Sequence, residues 1–143
     1  MKFGKLFSVL SILTMSASVA QASDAAKGES DFKRCKACHT IVADDGTVIV
    51  KGGRTGPNLY GLIGKTVGTA EDFKYSASLA AAGEAGIVWD EEKLAAWVTD
   101  PKAWLVDVLD DPKARTNMTF KLRKGGEDMA AYLATLGGEA PAD

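Results

Sequence analysis

Apolar residues along the chain fall into short helical stripes separated by long polar or glycine-rich stretches. Near the C-terminus Met129, Tyr132, Leu133 and Leu136 recur at i, i+3, i+4 and i+7, the spacing of one buried helix face. This predicts a last helix from about Glu127 to Leu136, stopped by Gly137 and Gly138. Near the other end, Ser23 or Asp24 can cap a helix whose Ala25, Gly28, Phe32 and Cys35 share a face. Asp90 caps another, with Leu94, Trp97 and Val98 on one side. Asp100-Pro101 reads as a cap followed by a first-turn proline, opening a helix with Trp104, Leu105 and Val108. A shorter helix is expected around 76–82. Apolar runs on either side of Asp45-Gly46, within 41–50, fit a small hairpin. Residues 51–68 carry six glycines and read as loop. The fold class is all-α, with about five short helices. Such helices joined by long ordered loops make a poor core by themselves and a good wrapping for a buried macrocycle.

The first residues stand apart from this pattern. Lys2 and Lys5 form a positive start, Leu6 to Val19 is mostly apolar, and Ala20-Gln21-Ala22 offers small residues for cleavage. The apolar stretch falls short of the ~20 residues of a spanning helix, and no positive stop-transfer flank follows. Residues 1–22 are therefore expected to be a cleaved secretory signal, and 23–143 the single mature domain, exported to the periplasm. Taking Lys2 and Lys5 from the 17 basic residues leaves 15 against 19 acidic, a net of −4. That balance argues against nucleic acid as a partner.

The candidate chemistry lies in five residues. Both cysteines and the one histidine of the chain fall in Cys35-Lys36-Ala37-Cys38-His39. A Cys-x-x-Cys-His run is the attachment pattern for c-type haem. Two thiols three residues apart on a helical turn can each add to one vinyl group of the same haem edge, and the next residue then lies under the iron. Three other readings compete. A zinc site needs four ligands, and nothing else in the chain completes one. A structural disulfide would close a very small loop and leaves His39 unexplained. A thioredoxin-like thiol pair belongs in a βαβ context, whereas the flanks here read as helix.

With His39 the only histidine, a second axial ligand must come from elsewhere. Beyond the leader the choices are Met118 and Met129. Met129 belongs to the core stripe. Met118 sits in Arg115-Thr116-Asn117-Met118-Thr119-Phe120, a polar loop beyond Pro112. It is the candidate thioether, since cytochromes c use a Met/His pair.

Taken in order, Cys35-Lys36-Ala37-Cys38-His39-Thr40, Gly56-Pro57-Asn58-Leu59, Trp89 and Met118 resemble class I c-type cytochromes over nearly all of the mature chain. The 41–51 insertion and the extra residues between Pro101 and Met118 look most like the bacterial cytochrome c2 branch. The resemblance implies a cytochrome c fold around one haem c, bound through Cys35 and Cys38. It implies that the Pro57 carbonyl accepts a hydrogen bond from His39, that Tyr75 and Trp89 hold a haem propionate, and that Gly28 and Tyr132 mark a close helix crossing. Trp97 stands where many relatives carry a tyrosine near the methionine sulfur, a departure that removes the expected hydroxyl contact to Met118. The function implied is a monomeric electron carrier, not an enzyme. It would take electrons from a membrane cytochrome bc complex and pass them to a terminal oxidase or photosynthetic reaction centre. A haem enzyme or gas sensor, which needs Met118 off the iron, and a haem-free thiol oxidoreductase are the other classes; one optical spectrum separates all three.

Charge along the chain suggests how it docks. Segments 33–65 and 113–124 carry eleven basic residues (Lys33, Arg34, Lys36, Lys51, Arg54, Lys65, Lys113, Arg115, Lys121, Arg123 and Lys124) against Asp44 and Asp45 only. Residues 71–111 hold three basic and ten acidic side chains. A basic ring around the haem edge with an acidic rear would orient the protein towards acidic partners.

Overall fold

Asp24 caps the first helix of the described residues. Its side chain accepts from the Lys27 backbone N–H and starts α1, Ala25–Asp31, which passes into a 3-10 turn at Phe32–Arg34. The computed structural model describes residues 22–137. The expected leader, apart from Ala22, and the expected stop residue Gly138 lie outside them. Next come β1 (Ile41–Val42), β2 (Val48–Val50), α2 (Ala77–Glu84), α3 (Glu91–Thr99), α4 (Pro101–Leu109) and α5 (Gly126–Ala134). No helix among the described residues is long and apolar enough to cross a membrane.

Caps set most of the helix starts. Ser76 accepts from Leu79 N, Asp90 from Lys93 N, and Asp100 from Ala103 N with Pro101 at the first helical position. Each carries an extended backbone and satisfies a donor that the first turn leaves without an internal partner. α5 differs from expectation at both ends. It begins at Gly126, after Gly125 in the left-handed region (φ 82°), with no side-chain cap. Its last turn tightens into i→i+3 bonds, Thr135 to Tyr132 and Leu136 to Leu133, so the regular helix ends at Ala134.

α5 packs across α1 on one side and against α3 on the other, while α4 lies against α2 and α3. The α1–α5 crossing depends on Gly28, where a Cβ would lie 2.0 Å from the Asp128 carbonyl oxygen and 2.8 Å from the Tyr132 Cβ. Below it Phe32 meets Tyr132 edge-on, with centroids 5.8 Å apart. The rim of the crossing is polar: Asp24 N donates to Asp128 Oδ1 at 2.8 Å, and Lys27 Nζ reaches Asp128 at 2.9 Å and Asp31 at 3.1 Å. Met129, 1% exposed, sits in the core, as its place on the α5 stripe implies.

The expected hairpin is present. β1 and β2 pair antiparallel, Ile41 with Val50 and Val42 with Val48, around a turn at Gly46. The side chain of Asn58 then acts on the outer edge of β1, accepting from Val42 N at 3.0 Å and donating to Val42 O at 2.8 Å. The glycine-rich segment is loop, as expected, with a single bridge from Thr66 to Val88.

Candidate functional site

The 3-10 turn delivers the motif as a continuing helical turn. Cys35 N bonds to Phe32 O, Cys38 N to Cys35 O, and His39 N to Cys35 O at 3.0 Å. The glycine-rich loop then closes over it: Gly53 N donates to Lys36 O at 2.9 Å and Gly56 N to Cys38 O at 2.8 Å. Side chains there would collide with the motif, since a Cβ on Gly52 would lie 1.9 Å from His39 O, and one on Gly56 would lie 2.3 Å from His39 Cε1. The sequence showed these glycines as loop. Their contact with the motif depends on the tertiary return of the chain, which has no local signature.

His39 is buried, and its Nδ1 donates to the Pro57 carbonyl oxygen at 2.8 Å. Burial holds the imidazole pKa below its ordinary value, while the Pro57 carbonyl opposes the shift. The ring is thus neutral, with Nδ1 committed to the backbone and Nε2 left as the donor atom for a metal. Cys35 is half-buried and Cys38 exposed. Burial pushes the Cys35 thiol up to about 11, the opposite of the lowered value that marks a redox-active thiol. No cluster of three or more His, Cys, Asp or Glu side chains suited to a metal ion occurs among the described residues.

A cavity of about 320 Å³ opens beside the motif. Cys35, Cys38, His39, Pro57, Tyr75, Trp89 and Met118, every site residue singled out from the sequence, line it together with Trp97. Met118 arrives on the strap between α4 and α5. The strap is pinned by Arg115 N to Ser78 Oγ (2.9 Å), Met118 N to Thr116 Oγ1 (3.0 Å) and Leu122 N to Val98 O (2.7 Å). Tyr75 is half-buried, with Phe73 edge-on at 4.9 Å. Most of the remaining wall is apolar and comes from Leu59 of the Gly56-Pro57-Asn58-Leu59 motif and from residues the sequence did not mark: Leu62, Phe73, Leu79 and Phe120. Of these, Phe120 alone carried a signal, lying two residues beyond Met118 on an extended strap and so on the same side of the chain. Two thiols, an imidazole with one nitrogen fixed, a thioether and a mostly apolar wall fit a haem bound covalently at one edge.

All eleven basic residues of 33–65 and 113–124 are exposed. Lys121 is not free, however: its ammonium pairs at 2.6 Å with Asp100, the residue that caps α4. A wider groove of about 730 Å³ runs along α3 and α4 and carries none of the haem residues.

No family model matches the chain. Relatives are close nonetheless. Cytochrome c2 of Rhodobacter capsulatus is 58% identical over 120 residues, covering 84% of this chain and 88% of the relative. Cytochrome c-551 of Roseobacter denitrificans is 54% identical over 132 residues, covering 92% and 94%. Among solved structures, that of Rhodobacter capsulatus cytochrome c2 superposes with a TM-score of 0.78 at 59% identity, covering 79% of this chain and 97% of that one. Paracoccus denitrificans cytochrome c2 gives 0.77 at 50% identity, covering 79% and 95%. The expected all-α cytochrome c fold is therefore borne out, and with it one haem c held through Cys35 and Cys38. This chain belongs to the cytochrome c2 family of class I c-type cytochromes, proteins that carry electrons.

Proposed function

We propose that His39 and Met118 would ligate the haem iron. In this reading the protein works in the periplasm, accepting single electrons from a membrane cytochrome bc complex and passing them to a terminal oxidase or photosynthetic reaction centre. One observation carries this: residues from the attachment turn and from the strap, distant in sequence, line one cavity, and His39 arrives with Nδ1 already bonded to Pro57.

The haem supplies an iron that changes oxidation state by one electron. The chain's residues set the terms of that change. Cys35 and Cys38 hold the group through both states. Pro57 fixes the imidazole plane, so Nε2 need not reorient. The Met118 thioether favours ferrous iron, and the apolar wall around it disfavours the added charge of the ferric state; both raise the potential. Held by both the His39 imidazole and the Met118 thioether, the iron would be poorly open to oxygen or peroxide, which suits a carrier rather than an enzyme. Tyr75 and Trp89 would hydrogen-bond a haem propionate, since aromatic side chains with a polar tip ordinarily find such a partner when buried. The expected leader, residues 1–22, supports export. The exposed basic residues of 33–65 and 113–124 supply a docking surface for acidic partners of this monomer.

An optical spectrum of the ferric holoprotein tests the ligand pair. A low-spin c-type spectrum with a methionine–iron charge-transfer band is expected. A high-spin spectrum would assign the protein to peroxidase or gas-sensing chemistry instead.

A further inference from the structure

Three indoles meet between the haem cavity and the back of the molecule. Trp89 and Trp104 stack with centroids 5.2 Å apart and planes at 24°. Trp97 stands edge-on to Trp104 at 5.6 Å, and Trp89 and Trp97 close the triangle at 5.8 Å. Trp89 and Trp97 line the haem cavity. Trp104 does not; it lines the groove along α3 and α4, whose walls carry Glu91, Glu92, Asp107 and Glu127. Each cavity indole, Trp89 and Trp97, therefore touches the rear-groove indole Trp104 directly.

Aromatic rings favour such stacked and edge-on geometries as core filler. Filler alone, however, does not require an easily oxidised side chain at three touching positions. Electron tunnelling weakens steeply with distance, so rings in contact replace one long transfer with short ones. The carboxylates around Trp104 add a negative potential that stabilises a positive charge on its ring.

We propose that Trp89, Trp97 and Trp104 form a one-electron conduit through which the reduced haem neutralises a strong one-electron oxidant arriving at the α3–α4 groove. The inference rests on the electron-carrier reading. The oxidant, a cationic high-valent metal complex stronger than indole and attracted by the groove's carboxylates, is itself reduced by one electron taken from Trp104, which leaves an indole radical cation. Trp104 regains an electron from Trp97 or Trp89, and that ring regains one from ferrous iron, which becomes ferric. No bond forms or breaks and the indole N–H protons stay in place. The net change is one electron moved from iron to oxidant.

The test places the oxidant at the groove. A ruthenium polypyridyl complex is coordinated to the imidazole of an Asp107→His variant of the holoprotein, and flash-quench generates ruthenium(III). Haem oxidation, the transient absorbance of an indole radical cation, and indole oxidation products located by mass spectrometry are all recorded. In ferrous protein the expected result is a transient indole signal followed by haem oxidation, both slowed or lost several-fold when Trp104→Phe is added. Equal rates with and without Trp104 overturn the conduit. A second comparison needs no change in the core: repeated flashes should leave oxidised Trp104 in ferric protein and little in ferrous protein. Equal damage in the two states also overturns it. A haem without a reversible one-electron couple would overturn the carrier reading and the conduit with it, so the two failures are distinguishable.

Discussion

The guanidinium of Arg34 lies over the ring of Phe120, 5.6 Å from its centroid. Arg34 precedes the first attachment cysteine, and Phe120 follows Met118 by two residues on the strap. The contact thus ties the segments that carry the proposed ligands together at the rim of the cavity, which both residues line. An exposed pair of this kind contributes about 0.5–1 kcal/mol. Arg34→Ala should therefore loosen the strap, and added imidazole should displace the Met118 sulfur more readily. The expected tightening of imidazole binding is roughly two- to fivefold, read from loss of the charge-transfer band. Unchanged affinity would mean that the pair does not restrain the strap.

Exchanging the thioether separates the two methionines. Met118→His should keep a low-spin haem while lowering its potential substantially, because imidazole favours ferric iron relative to thioether. Met129→Leu, a volume-conserving change in the α5 core, should cost less than about 1.5 kcal/mol and leave the potential in place. Redox titration of both variants decides the assignment, and control of the potential by Met129 would reverse it.

Gly56→Ala tests the hold on the proximal imidazole. The new methyl would meet His39 Cε1, so either the ring or the loop must move, and the Nδ1 bond to Pro57 lengthens. A lower yield of holoprotein and a shifted potential are expected, whereas Gly46→Ala, where nothing lies within 4 Å of the added Cβ, should leave the potential unmoved. Intact mass after denaturation should show haem still attached in both, since the thioethers do not depend on His39.

Acid should weaken the α1–α5 crossing. The Asp24 backbone N–H, and then the Lys27 ammonium, hold the Asp128 carboxyl below its usual range. A carboxyl with a depressed folded pKa stabilises the fold above its unfolded value, about 3.9, and that stabilisation fades as pH falls through the folded value. Asp128, followed by Asp31, raises the Lys27 pKa, so the ammonium's contribution is complete below its unfolded value, about 10.4, and is lost above the folded one. Asp128→Asn should accordingly lower the thermal midpoint at neutral pH and narrow the gap to the parent in acid. A gap independent of pH would exclude this ion pair as the cause.

Docking should respond unequally to two lysines that look equivalent in sequence. Screening limits exposed charges to a reach of ~8 Å at physiological ionic strength, so the second-order rate with an acidic redox partner should fall steeply with salt. Lys36→Glu should reduce it further. Lys121→Glu removes a cation already paired with Asp100 and places two carboxylates together, so part of its effect should appear as lost stability at the start of α4. Stopped-flow rates across a salt series separate the two, and a rate indifferent to salt would remove the basic surface as the docking face.

What could be read from the sequence was local. Asp24, Ser76, Asp90 and Asp100 announce their helices because a cap and its first turn lie within four residues. The five attachment residues carry their chemistry in their spacing, and Met118 stood out by lacking a stripe. Leu62 and Phe73 could not be found in this way, because loops supply them to the cavity wall without periodicity. The pairing of Lys121 with Asp100 was equally hidden, since it exists only once the strap lies beside α4. The start of α5 was misplaced by one residue because Gly125 offers a backbone conformation rather than a side-chain cap.

The Asn58 amide on Val42 has a consequence for how copies of the protein behave at high concentration. A two-stranded hairpin exposes a row of backbone donors and acceptors, and here β2 also shows Val48 and Ile49 to solvent, 57% and 44% exposed. An open strand beside exposed β-branched residues is a template for intermolecular pairing. Asn58 occupies the free donor and acceptor of Val42 with a side chain that cannot propagate a ladder, so the outer edge of β1 ends in an amide rather than a vacancy. Asn58→Ala would leave the haem residues untouched and still turn that edge into an attachment point for a second chain.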